Sequence, residues 1–344
     1  MATNTAAKPA TAPTTTSRLG SVKSGVIIGP KRYIIYGAEG TGKTTLAADA
    51  PKPIFFDIEG GSAAVDADRY PFHDGDDGHV PRDYDDVLRA VADLQTAEHS
   101  YKTLVIDTAD RLESLLWAWM IRRDSDPSVY KSDNPLNQII DYGYGKGFDR
   151  AVDVWRDLAV RLDRLRIARK MEIVFLAHMQ VKNFKNPAGA DYDRWIPAMN
   201  EKAGGFLKGW SDVTGMLAHE ETTKAVPGDK RRAKGFSTNA RVLKLAHSAA
   251  FDAKGRGSLP DEIDIPVEHP WAPLAEAIEA GYETDIKKLT AEIGVEVERI
   301  GDDVLTAKVN AATKEAVAKK DTQSLKAYLN SLKTRPAKSA ETSQ

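Results

Sequence analysis

The chain contains no cysteine. That excludes disulfides and thiolate-held metals and makes a reducing compartment, the cytoplasm, the expected location. No apolar run approaches the roughly 20 residues that a membrane-spanning helix needs, so no membrane partner is expected. The N-terminus lacks the charged-then-apolar order of a secretory leader. An excess of one charge is missing as well: 48 Lys and Arg stand against 50 Asp and Glu, a formal net charge of −2. Any contact with nucleic acid must therefore come from local basic loops. No internal repeat is visible. What remains is an ordinary globular composition over 344 residues, long enough for one large domain and an appendage.

Against this background residues 31–48, KRYIIYGAEGTGKTTLAA, stand out. They read as a short strand (33–36), a loop punctuated by glycine, and a helix opening at Lys43. Within them Gly37, Gly42, Lys43 and Thr44 have the spacing G-x-x-x-x-G-K-T. A triphosphate is best held by backbone N–H groups aimed inward, which requires glycine where a Cβ would collide or φ must be positive. The helix N-terminus adds its dipole and free amides. Lys43 reaches the β- and γ-phosphates and the Thr44 hydroxyl is placed to ligate Mg²⁺. Gly37, Ala38, Glu39, Gly40, Thr41, Gly42, Lys43, Thr44 and Thr45 together are read as a nucleotide site, with ATP and Mg²⁺ as the expected occupants.

The rest of the chain fits around this loop. Residues 1–24, mostly Ala, Thr, Pro and Ser, offer little burial to offset ordering entropy and are expected to be disordered. Residues 26–28 suggest a first strand. Apolar runs at 53–58, 104–106 and 172–177 lack alternation, as strands buried on both faces of a parallel sheet do. Further strands are expected at 212–219 and 242–246, joined by a basic hairpin at 224–241. Helical spacing marks 84–97, 110–123, 148–170, 201–209 and 271–280. Two polar stretches, 124–147 and 179–198, read as long loops. The predicted fold is α/β: a mostly parallel twisted sheet flanked by helices over 25–283, a small helical appendage at 284–335, and a mobile tail at 336–344.

In such a sheet ligands bind beyond the strand C-termini, where the loop, Glu59, Asp107 and His178 all fall. Asp107 suits a Mg²⁺ carboxylate, with capping of the next helix as its alternative. Glu59, with Asp57 on the same face, suits a base for the water attacking the γ-phosphate, the alternative being a turn residue before Gly60 and Gly61. His178 is placed to sense the γ-phosphate or is an ordinary hydrogen-bonded histidine. Lys254 and Arg256 form a cationic turn that can act on a neighbouring subunit's γ-phosphate or simply be solvated. Tyr142, Tyr144, Lys146, Lys182, Phe184, Lys185 and Trp195 interleave aromatics with cations in the two loops, a mix suited to single-stranded DNA, although Asp141, Asp191 and Asp193 dilute the charge. Lys230, Arg231, Arg232 and Lys234 add a further phosphate candidate.

The order GAEGTGKTT (37–45), FFDIEGG (55–61), LVIDTAD (104–110), DYGYGKGF (141–148), IVFLAH (173–178) and FLKGWSDV (206–213) resembles a RecA-like P-loop NTPase core. Over roughly residues 25–265 it is similar to phage-encoded RecA-like ATPases of the single-strand annealing and recombination type. That resemblance implies Lys43 and Thr44 for phosphate and Mg²⁺, Glu59 as general base and Asp107 for Mg²⁺. It also implies a DNA-binding loop after His178 and Lys254 with Arg256 as a trans-acting finger. The protein it describes is a Mg²⁺-dependent ATPase, an oligomeric ring or filament with ATP between subunits. It binds single-stranded DNA in the host cytoplasm, with a single-strand-binding protein as a further partner. His178 stands where RecA has glutamine. Two other functions remain open from the residues: a helicase-like or packaging-associated motor, and a nucleotide-dependent assembly protein that does not bind DNA.

Overall fold

The computed structural model describes residues 29–75, 78–131, 135–226, 229–319 and 321–336. The predicted N-terminal tail, the strand at 26–28 and all but Pro336 of the 336–344 tail lie outside them. The chain divides into two compact units, Ile28–Thr284 and a second that contains Asp285–Gln344.

The larger unit is built on one sheet. Its central strand, β1 (Arg32–Gly37), leads through the glycine loop into α1 (Lys43–Ala48), and β2 (Pro53–Asp57) and the short β3 (Asp68–Arg69) follow. Next come α2 (Tyr84–Thr96), β4 (Thr103–Asp107), α3 (Ala109–Asp124), a 3₁₀ turn at Ile139–Tyr142, and α4 (Lys146–Arg169). The remainder is β5 (Glu172–Phe184), β6 (Tyr192–Pro197), α5 (Glu201–Trp210), β7 (Val213–Val226), β8 (Asp229–Lys244), β9 (Lys254–Gly255) and β10 (Glu262–Ile265). A long helix, α6 (Ala272–Ile300), runs past the boundary between the units.

The strand order is β10-β8-β7-β1-β5-β4-β2-β3. From β7 to β3 every neighbour is parallel, while β8, β9 and β10 add antiparallel partners on one side. The apolar runs are continuous because both faces are covered. Successive side chains point to opposite faces, so Ile34 and Tyr36 pack with Phe56, Ile106, Phe175 and Trp155 on the α2–α3–α4 side. Tyr33 and Ile35 pack with Leu46, Phe55, Val174, Trp271 and Leu274 on the α1–α6 side.

Several elements differ from expectation. Residues 179–198 are a β-hairpin rather than a loop: β5 continues past the sheet and pairs antiparallel with β6, Val181 opposite Trp195 and Phe184 opposite Tyr192. None of the hairpin residues is fully buried beyond the sheet, only half-buried or exposed, so a polar sequence is tolerated and hides the strand. The expected hairpin at 224–241 is the outer part of the longer β7–β8 pair, whose strands extend beyond the runs at 212–219 and 242–246. Within 124–147, Asp124 closes α3, Ile139–Tyr142 forms a 3₁₀ turn and Lys146 opens α4. The helix expected at 271–280, α6, runs on to Ile300.

The smaller unit contains the end of α6, α7 (Asp303–Ala318) and α8 (Thr322–Lys333). On α6, Ile286, Leu289, Ile293, Val297 and Ile300 recur every three or four residues and pack with Ala316, Leu325, Leu329 and Leu332. Asp302 caps α7 by accepting from the Leu305 N–H at 3.0 Å. Among the described residues no helix is long and apolar enough to cross a membrane.

Candidate active site

The glycine loop has the conformation its sequence requires. A Cβ on Gly37 would collide with the Leu217 carbonyl of β7, and Gly40 and Gly42 are left-handed at φ 74° and 84°. Lys43 is 7% exposed, and its Nζ donates to the Gly37 and Ala38 carbonyls at 3.0 and 2.9 Å. Burial lowers its pKa against the opposing pull of Asp107, Asp110, Glu59 and Glu39. The Thr41 hydroxyl ties the turn to the Ala38 carbonyl at 2.9 Å, while Glu39, Gly40 and Thr45 are exposed along the rim.

Asp107 ends β4, the parallel strand two positions from β1, and is 5% exposed. It accepts a hydrogen bond from the Thr44 hydroxyl at 2.8 Å. Burial, with Asp57 and Glu59 nearby, pushes its carboxyl up to about 6, the Thr44 bond and Lys43 offsetting only part. It is not a cap, because Thr108 is the N-cap residue of α3. Two hard oxygen donors side by side, one on a carboxyl short of positive charge, fit a small divalent cation such as Mg²⁺. Among the described residues no group of three or more His, Asp or Glu side chains can hold a metal by itself. Thr44 and Asp107 would thus supply the protein's share of the shell, phosphate oxygens and water the rest.

Glu59 and Asp57 divide their labour. The Asp57 carboxylate, fully buried, accepts from the N–H groups of Gly60, Gly61 and Ser62 and from the Ser62 hydroxyl. It forms the turn and leaves Glu59 to project, its side chain 31% exposed. Glu59 accepts from the Thr108 hydroxyl at 3.3 Å and faces His178 Nε2 at 3.8 Å. On its other side His178 donates its backbone N–H and Nδ1–H to Asp110, at 3.1 and 2.9 Å. His178 therefore sits between two carboxylates, bonded to Asp110 and 3.8 Å from Glu59. Asp110, in the first turn of α3, escaped the sequence reading, although its place three residues after Asp107 was the available signal.

The structure does not bring Lys254 and Arg256 to the loop of their own chain. β9 pairs with Val213 and Thr214, and Val213 lies beside Tyr33, four residues before Gly37, roughly 13 Å along the strand. Lys254 Nζ caps α5 by donating to the carbonyls of Lys208, Gly209 and Ser211 at 2.6, 2.9 and 2.7 Å. Arg256 donates to Asp212 and the Gly209 carbonyl, its side chain still 51% exposed.

Of the interleaved aromatics and cations, Tyr142 is a correction. It is 5% exposed, its hydroxyl donates to Asp124 at 3.1 Å, and it cannot stack on a base. Asp124, fully buried, also binds Arg123 and Arg150, and this long-range cluster is what draws the tyrosine inward. Tyr144 is fully exposed, held at φ 48° between left-handed Gly143 and Gly145 and just ahead of Lys146, which opens α4. On the hairpin, Lys182 pairs with Glu201 and Lys185 with Asp191. Phe184 and Trp195 are about 40% exposed, and Arg194, also missed, stacks on Phe184 at 4.6 Å. Behind the hairpin a cavity of about 520 Å³ is lined by Phe184, Arg194, Gly205 and Lys208, among others. Lys230, Arg231, Arg232 and Lys234 belong to β8, but their side chains lie outside the described residues.

A parallel sheet with a glycine loop, a buried lysine and a Thr–Asp oxygen pair at its C-terminal edge defines a P-loop NTPase. A family model described as an AAA domain matches residues 29–257. The chain belongs to that family, and the matched span is an AAA-type P-loop ATPase domain. No curated protein matches the chain.

Proposed function

We propose that the protein hydrolyses ATP with Mg²⁺ and couples that cycle to single-stranded DNA held by the β5–β6 hairpin, acting in annealing or strand pairing as an oligomer. The observation that carries this reading is the Glu59–His178–Asp110 chain. His178 pairs with Gly37 in the sheet, and the hairpin register begins at the next residue, Met179. The group beside the expected attack site thus adjoins the element with exposed aromatics.

In the proposed reaction Glu59 orients a water and takes its proton as the water oxygen bonds to the γ-phosphorus. The bond to the β–γ bridging oxygen breaks, and ADP leaves with the electron pair. Lys43 compensates charge on the phosphates, and Arg256 of a neighbouring subunit, its side chain half exposed, would add its charge in trans, with Lys254 holding that turn through its bonds to α5. Mg²⁺, when bound at Thr44 and Asp107, supplies electrostatic stabilisation of the phosphate oxygens.

One observation favours a second reading, a nucleotide-dependent assembly protein without DNA: Lys182 and Lys185 already pair with carboxylates. Fluorescence anisotropy of a labelled single-stranded oligonucleotide, with and without ATP, separates the two. Binding that strengthens with ATP and is lost in Lys43→Ala supports the DNA-coupled ATPase. Absence of binding in either state refutes it and leaves the assembly protein. Strand displacement in a fork assay would instead indicate a motor.

A further inference from the structure

We infer that Arg241 is a nucleotide-binding residue supplied in cis by β8, contacting the α- and β-phosphate end of ATP and of ADP alike. The inference rests on the phosphate loop being the nucleotide site and adds a residue to it. In register, Arg241 lies opposite His219 of β7 and Ile265, the last residue of β10, which puts it at the same sheet edge as the loop. Its half-buried side chain crosses to the loop and places Nη1 against Gly42, so close that a Cβ there would collide. Nη2 donates to the Pro266 carbonyl, fixing the guanidinium beside the turn. Gly42 is glycine because of its left-handed φ, and the arginine tip occupies the space its missing side chain leaves.

The sheet order decides which part of the nucleotide this cation meets. Asp107 ends β4, Glu59 follows β2 and His178 is the last β5 residue paired with β1, all on one side of β1; β7, β8 and β10 lie on the other. With the γ-phosphate turned toward Glu59 and Asp107, the α-phosphate and nucleoside must leave the loop toward β8. A planar, permanently charged guanidinium suits the phosphate oxygens there. His219, facing Arg241 on β7, buries an Nδ1 that has no hydrogen-bond partner among the described residues, a second polar atom on that wall. Arg241 therefore governs affinity, not the cleavage step.

The test compares wild type with Arg241→Ala and Arg241→Lys, using calorimetric titration of ATP, ADP and AMP, steady-state phosphate release, and melting temperature. The expected result for Arg241→Ala is an affinity loss on the order of tenfold, equal for ATP and ADP. KM should rise to match with kcat held within about twofold, and Arg241→Lys should recover part of the affinity. Unchanged affinities, or a fall in kcat with ADP affinity intact, would overturn the assignment. So would a lysine variant as weak as alanine with the same drop in melting temperature, which would make the residue a packing element. Lys43→Ala run in parallel separates the two claims, because undiminished ATP binding there would refute the loop as the nucleotide site.

Discussion

The two edges of the sheet carry the same kinds of charged side chain in opposite electrostatic conditions. At the N-terminal edge Arg32 donates to both oxygens of Asp212, at 3.0 and 2.9 Å, and reaches Asp163 at 3.4 Å. Burial works to raise the Asp212 carboxyl, but the bonds and charge of Arg32 overcome it and hold the group below its ordinary value. At the C-terminal edge burial, together with the neighbouring Asp57 and Glu59 carboxylates, pushes the Asp107 carboxyl up to about 6, and the Thr44 bond and the partly desolvated Lys43 offset only part of it. The first edge is complete as folded. The second is short of positive charge and contains a loop shaped for anions, the pattern of a site finished by its ligands. An edge that is neutralised in the folded chain serves stability, whereas one left unbalanced serves chemistry.

This contrast is open to direct attack, most strongly at Glu59. Glu59→Gln should lower kcat by about a thousandfold with ATP affinity and melting temperature unchanged, since among the described residues the carboxylate bonds the Thr108 hydroxyl alone and faces His178. At the other edge Asp212→Ala should have the reverse signature. It leaves Arg32 largely buried without its main partner and should cost about 2–3 kcal/mol by chemical denaturation, while KM for ATP stays within twofold.

Glu113 offers a third condition, an unbalanced carboxyl away from the ligand site. One turn beyond Asp110 on α3 and 3% exposed, it accepts from the Asn200 N–H at 2.8 Å, and burial pushes it up to about 7. A carboxyl whose folded pKa exceeds its unfolded one favours folding below the unfolded value, and stability falls as pH rises through the interval. Between about pH 4.5 and 7 wild type should therefore lose about 2–3 kcal/mol relative to Glu113→Gln. Parallel pH–stability curves for the two would contradict this. The smallest effect belongs to Tyr144→Ala, expected to change stability by less than about 0.5 kcal/mol while weakening single-stranded DNA binding about fivefold. A stability loss without a binding loss would make the exposed tyrosine a fold element.

What the sequence discloses follows the same division. The loop is legible because glycine spacing states a local backbone requirement, and β2, β4 and β5 because two covered faces leave an uninterrupted apolar run. Glu59, Asp107 and His178 then follow from position at strand ends. Arg241 is illegible because its contact with Gly42 depends on the register of β8 against β7, set across the sheet rather than along the chain. Tyr142 misleads for a related reason: its partners Asp124 and Arg150 come from two helices, and an aromatic among glycines looks exposed until that cluster is known. The β5–β6 hairpin is hidden because its residues are only half-buried or exposed, which leaves no apolar pattern to display.

The central claim is that the unbalanced edge hydrolyses ATP in response to single-stranded DNA. Phosphate release by wild type and Glu59→Gln, each with and without a single-stranded oligonucleotide, tests it most directly. The account predicts turnover that rises with the oligonucleotide in wild type and is abolished by Glu59→Gln, with ATP still bound. Turnover by Glu59→Gln at the wild-type rate, or a wild-type rate indifferent to DNA, would contradict it.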